Sequence, residues 1–137
     1  MKKIFAVLMV AILVLALCAC GGRDKVREAA ATAPELDMTE YLILKTENEA
    51  KAEAEYDGNI YRYTGYVVEI KDDYCTVGYY HLDEDGEIYG DGVHQMTVYL
   101  EQEDLVKLST REIYTFAGEF ECDVIIPNFR NAILIEE

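Results

Sequence analysis

The sequence predicts a mainly β domain, a small five-stranded barrel with an N-terminal docking helix and a short helix between strands 3 and 4. Three observations predict it. Eleven Tyr, no Trp and only two Pro in 137 residues suit half-buried pleated strands. Between residues 60 and 100 the pairs Asp72-Asp73, Asp85-Gly86 and Asp91-Gly92 divide apolar and aromatic runs into strand-length pieces. One stretch of helical spacing, residues 38–56, stands ahead of the first run.

The chain opens with an export signal. Lys2 and Lys3 precede an uninterrupted apolar run over residues 4–17, the charged and hydrophobic regions of a secretory signal. Leu17-Cys18-Ala19-Cys20-Gly21 then resembles a bacterial lipobox. A small residue at position 19 admits the peptidase, and Cys20 takes the diacylglyceryl thioether with its palmitate-class acyl chains. Cys18 is not the acceptor, because Leu17 stands in its small-residue slot. The competing reading is an uncleaved anchor over residues 4–20, whose 17 residues meet the lower limit for a spanning helix. Both put the domain on the extracytoplasmic face of the bacterial cell membrane.

Residues 1–19 are thus the signal peptide, and residues 20–36 the lipidated Cys and a flexible tether. The tether reading follows from Gly21-Gly22, mixed charges and an alanine run ending at Pro34, with few large apolar groups to bury. Residues 37–137 form the domain. Asp37-x-x-Glu40 has the form of a capping box, and a helix over residues 38–56 follows. Tyr41, Leu44, Asn48, Ala52 and Tyr56 make one stripe along it, a face able to dock on a sheet. Asn48 in that stripe is either a ligand group or, far more commonly for Asn, a cap.

Asp57-Gly58-Asn59 ends the helix, and strand 1 runs over residues 60–70 with a bulge expected near Gly65. Strand 2 covers residues 74–80, strand 3 residues 94–100, strand 4 residues 113–122 and strand 5 residues 130–135. Between strands 3 and 4, residues 101–108 read as a short helix, with Glu101, Glu103 and Asp104 at its N-terminus and Leu105, Val106 and Leu108 to pack. Residues 124–126 are apolar but run into Pro127, so they read as a loop or edge.

Five strands, a bent first strand containing glycine and a helix between strands 3 and 4 look like an OB-fold barrel. The residues extend the likeness. Asn48-Glu49-x-Lys51-Ala52-x-x-x-Tyr56-x-Gly58, Tyr63-Thr64-Gly65-x-Val67-x-x-Ile70 and Thr97-Val98-Tyr99-Leu100 resemble the small OB-fold lipoproteins of the tRNA_anti-like family, over about residues 37–137. Two departures stand out. Residues 109–112, Ser-Thr-Arg-Glu, replace a usual Gly-Asp turn, and Asn131 stands where many members have cysteine.

Charge separates the possible partners. The chain carries −15, and the two lysines lost with the signal peptide leave the mature body near −17. Residues 57–137 hold five basic and 18 acidic side chains. No positive groove can be built from these, so no nucleic-acid partner is expected, despite the association in the family's name. Anionic headgroups repel such a body, and the lipid must hold it at the membrane.

No nucleophile triad, phosphate loop or cofactor motif is legible, so the reading is non-catalytic, with no cofactor. Residues 83–87 with Asp91 invite a calcium loop, but Gly86 is the fourth residue where an EF-hand needs the sixth, and His94 holds the twelfth. His81 and His94 would make half a zinc site without a third ligand. Cys75 and Cys122 are either a disulfide or two buried thiols. If Val67, Val77 and Val98 point inward, alternation turns Tyr66, Tyr74, Tyr80, Thr97 and Tyr99 outward on the usual OB ligand face. The leading function is an envelope binding module for an unknown, cationic ligand. The alternatives are an accessory lipoprotein docking on another envelope protein and, more remotely, a binder of single-stranded nucleic acid or oligosaccharide.

Overall fold

The computed structural model describes residues 21–122 and 125–136, and the side chains of residues 89–93 are left aside. Cys20 and the signal segment lie outside the described residues. The elements are α1 (Gly22–Ala29), α2 (Met38–Glu47), α3 (Glu49–Tyr56), β1 (Ile60–Ile70), β2 (Tyr74–Leu82), β3 (Ile88–Tyr99), α4 (Gln102–Leu105), β4 (Ile113–Glu121) and β5 (Asn128–Ile135). The strands close into a barrel in the order β1-β2-β3-β5-β4, with β3 and β5 parallel and all other pairs antiparallel. This is the five-stranded OB-like arrangement the sequence predicts.

Alternation fills the barrel. Val67, Cys75, Val77, Met96, Val98, Phe116, Phe120 and Phe129 are all fully buried, and Leu105 and Leu108 close the end beneath α4. The bulge of β1 lies three residues beyond Gly65: the register jumps between Val67 and Glu69, which leaves Val68 as the extra residue. Gly65 serves close packing instead, since a Cβ there would sit 2.3 Å from Val77 Cγ1 and 3.0 Å from the Gly78 carbonyl oxygen.

The expected single helix over residues 38–56 is two helices hinged at Asn48. Asp37 caps α2 by accepting from the Glu40 N–H at 2.9 Å, as its spacing predicts. Asn48 is extended at φ −158°, ψ 91°, and its Oδ1 accepts from the Lys51 N–H at 3.0 Å. A side chain that satisfies the first turn of a new helix competes with continuing the old one. Asn48 is therefore a cap, and the Tyr41, Ala52, Tyr56 face still docks, against Tyr61 and Phe120.

Strand 3 begins six residues before its expected start. Asp91-Gly92 does not reverse the chain; it lies where the β2–β3 register jumps, from Gly78 opposite Gln95 to Tyr80 opposite Gly90. The reversal is at residues 83–87, where Gly86 takes φ +80°. The hairpin consequently runs on past the barrel wall, pairing as far as Leu82 with Ile88.

The tether expectation also differs from what is seen, for a helix begins at Gly22. Val26 is fully buried beside Ala30 and Ala117, with Ile60, Ile133 and Ile135 around them. Arg23 donates from Nε to the Ala132 carbonyl at 3.2 Å and pairs with Glu101 at 2.7 Å. Small side chains at Ala30 and Ala117 let one valine seat the helix, which composition alone conceals. Further on, the Leu36 N–H donates to the Arg62 carbonyl and the Arg62 N–H to that of Pro34, tying residues 34–36 to β1. Among the described residues, Arg111 at φ 71° and Asn131 at φ 50° are the non-glycine residues with left-handed backbone.

Candidate binding cleft and tyrosine face

Val67, Val77 and Val98 do point inward, and the five outward residues divide among three places. Tyr74 and Tyr99 are register partners whose rings meet at 5.8 Å, and Thr97 follows on the same face of β3. Tyr66 borders a separate hollow with Glu87, Ile88 and Arg111. Tyr80 faces a third region, because the register jump at Tyr79 turns the distal hairpin toward α2. The tyrosines do not form one continuous platform.

The sequence reading missed a cleft between α2 and the distal β2–β3 hairpin. One part, about 610 Å³, is lined by Met38, Leu42, Ile43, Tyr79, His81 and His94 with Thr39, Thr46 and Glu47. It continues, through shared Met38, Thr39, Tyr79 and His81, into a hollow of about 830 Å³ bounded by Glu35, Asp37, Tyr63 and Tyr80. A signal was present. Thr39, Leu42, Ile43 and Thr46 follow i, i+3, i+4, i+7 spacing, a second semi-apolar face beside the Tyr41 stripe. Ile43 remains 55% exposed there.

The lining is chemically uneven. Its formal charges are Glu35, Asp37 and Glu47, all acidic, while Tyr79 and His81 pack edge to face at 4.7 Å. Glu35 lies 3.4 Å from Arg62, and Asp37 is occupied as the α2 cap, so Glu47 is the carboxylate on the cleft wall with no ion pair of its own among those described. Such a wall suits a cation carried on an apolar stem.

His81 and His94 share this cleft, and no group of three or more His, Cys, Asp or Glu is placed to hold a metal among the described residues. The acidic turn uses its own carboxylate: Asp83 Oδ1 accepts from the N–H groups of Asp85 at 2.9 Å and Glu87 at 2.7 Å. Asp83 thereby acts as the turn's cap. Cys75 and Cys122 are both free thiols, the first inside the barrel and the second at its rim. Burial pushes Cys75 up to about 12. Burial also raises Cys122, which faces the buried Tyr41 hydroxyl. Thiols held this way are poor nucleophiles.

No family model matches the chain. No curated protein matches it. A solved structure, the "putative nucleic acid-binding lipoprotein" of Klebsiella pneumoniae, is similar to it with a TM-score of 0.57 at 22% identity, over 80% of this chain and 97% of that one. The likeness at that identity is one of fold. It agrees with the closed barrel and spans nearly the whole of the other protein.

Proposed function

We propose that this chain is a lipid-anchored extracytoplasmic lipoprotein whose barrel, without catalysis, binds a cationic ligand with an apolar stem in the cleft between α2 and the β2–β3 hairpin. One observation carries the reading: a continuous cleft whose formal charges are all carboxylates and whose walls are otherwise Met, Leu, Ile, Tyr and His with three threonines. A few placed polar groups in an apolar hollow of this size are the ordinary form of a small-ligand site. Lipidation at Cys20 holds the module at the outer face of the membrane, and the body's charge draws cations toward it.

Calorimetry with spermine and with a short Lys-Leu peptide tests this, the two probes separating a polyamine from a peptide source. Binding should weaken several-fold as salt rises above about 0.15 M, where screening acts within about 8 Å. Ile43→Lys, on an exposed site, should abolish it. Silence from both probes, or binding indifferent to Ile43→Lys, sinks the cleft. The neighbour's printed name makes a single-stranded oligonucleotide the necessary third titrant. The acidic body should repel it; micromolar affinity at about 0.15 M salt, lost in Tyr99→Ala, would replace the cationic reading with a nucleic-acid one.

A further inference from the structure

We propose that the barrel is seated directly on the bilayer that holds it, through the rim made by the start of α1, the end of β3 and residues 125–127 ahead of β5. This rests on reading Cys20 as lipidated. The first argument is length. Cys20 precedes Gly22 by two Cα steps of about 3.8 Å each, so the lipid-bearing residue stays within about 8 Å of Gly22. Gly22 is itself fixed to the barrel, since a Cβ on it would fall 2.3 Å from Asn131 Nδ2. The headgroup layer is about 5–8 Å thick on each side. With its short thioether and glycerol link, an anchor at the acyl boundary therefore holds the surface beside Gly22 against the outside of that layer.

The second argument is what that surface carries. A hollow of about 320 Å³ joins Arg23 of α1 to Tyr99, Asn128, Arg130 and Asn131. Two residues before Asn128, Ile126 is 40% exposed, and next to it Ile125 is 86% exposed. Tyr99, 36% exposed and in ring contact with Tyr74, supplies an amphipathic group of the kind concentrated at membrane interfaces. Isoleucines presented this openly lose little and gain apolar burial if they enter the headgroup boundary.

The third argument is charge. By their sequences α1 and β5 each carry +1, the two named elements with a positive balance, and they pack against each other on this side of an otherwise acidic body. Arg23 is paired with Glu101 and Arg130 with Glu121, so the effect is reduced repulsion rather than a basic patch. The grip comes from Ile125, Ile126 and Tyr99. Seated so, the outward Tyr74–Tyr99 pair is a membrane contact. Tyr79 lies five residues along β2 from Tyr74, about 16 Å along the strand and away from this rim, which leaves the α2 cleft open to solutes.

The chain has no Trp, so a single introduced one reports its own depth. Full-length lipidated Ile125→Trp and Leu82→Trp, the latter exposed at the far end of the hairpin, would be placed in phosphatidylcholine liposomes with minor phosphatidylglycerol and brominated acyl chains. Emission from Ile125→Trp should fall by about half or more, as for a side chain at the acyl boundary, while Leu82→Trp keeps its intensity. Mass spectrometry on the same sample reads the lipid. Absence of the diacylglyceryl mass removes the anchor and the seating together. Lipid present with Ile125→Trp unquenched, or with both positions quenched alike, overturns the seating and leaves the anchor standing.

Discussion

Two apolar clusters hold the elements outside the strands to the barrel, and they work in different ways. Under α2 and α3, five aromatic rings meet: Tyr41, Tyr56, Tyr61, Phe120 and Phe129, with centroids 4.8 to 6.2 Å apart and mostly edge to face. Under α1, burial rests on Val26 and Ala30 against Ala117, with isoleucines at the edge. The aromatic cluster is continuous with the barrel interior, so cap and barrel should unfold as one. The valine cluster is a satellite, so α1 should open by itself at lower cost.

The largest effect should come from Phe120→Ala. Phe120 touches Tyr41, Tyr56, Tyr61 and Phe129 and is fully buried, so truncation should cost about 3–5 kcal/mol in urea unfolding. A loss below about 1 kcal/mol would mean that the cap is not part of the core. Val26→Ala comes next, at about 2 kcal/mol for two lost methyl groups and a small void. Its signature is local. Hydrogen exchange should speed up in α1 and leave β4 and β5 protected; uniform loss of protection would erase the distinction between the two clusters.

These clusters also explain what was legible. Tyr41, Ala52 and Tyr56 announce the cap by spacing, and alternation about Val67, Val77 and Val98 places four of the strands to within two residues, while β3 begins six residues early. Helix α1 was hidden because its one large apolar residue is informative only beside Ala117, about ninety positions away. The cleft was obscured for a related reason. Its wall depends on the register jump opposite Tyr79, which follows from pairing in three dimensions rather than from the Asp91-Gly92 turn signal. Alternation about the valines turns Tyr66, Tyr74, Tyr80, Thr97 and Tyr99 away from the barrel interior, but it carries no information on which of them lie side by side.

A smaller change sharpens the description of the cap. Asn48→Ala removes the bond to the Lys51 N–H and should cost about 1 kcal/mol, within the usual 0.5–2 for an N-cap. Asn48→Asp keeps an acceptor at the α3 N-terminus and should restore most of it. If Asn48→Ala leaves the melting curve unchanged, the break between α2 and α3 owes nothing to the cap.

The two thiols give the finest comparison, because one lies in the barrel and the other at the rim of the cap. Burial raises Cys75 from an ordinary value of 9.0 to about 12, so the folded state favours the neutral thiol. The sign follows from linkage. Below pH 9 both states hold the proton and the contribution is complete; between pH 9 and 12 the unfolded chain releases it while the folded chain cannot, and stability falls. At pH 10 the loss should be on the order of 1 kcal/mol. Tyr41, raised from 10.0 chiefly by burial, extends the decline above pH 10. Cys122 is also raised but only half-buried, and contributes less. Urea unfolding at pH 8, 9 and 10 should therefore show a slope that Cys75→Ala flattens and Cys122→Ala largely keeps. The same slope in Cys75→Ala as in the parent chain would show that the barrel interior does not hold this thiol neutral.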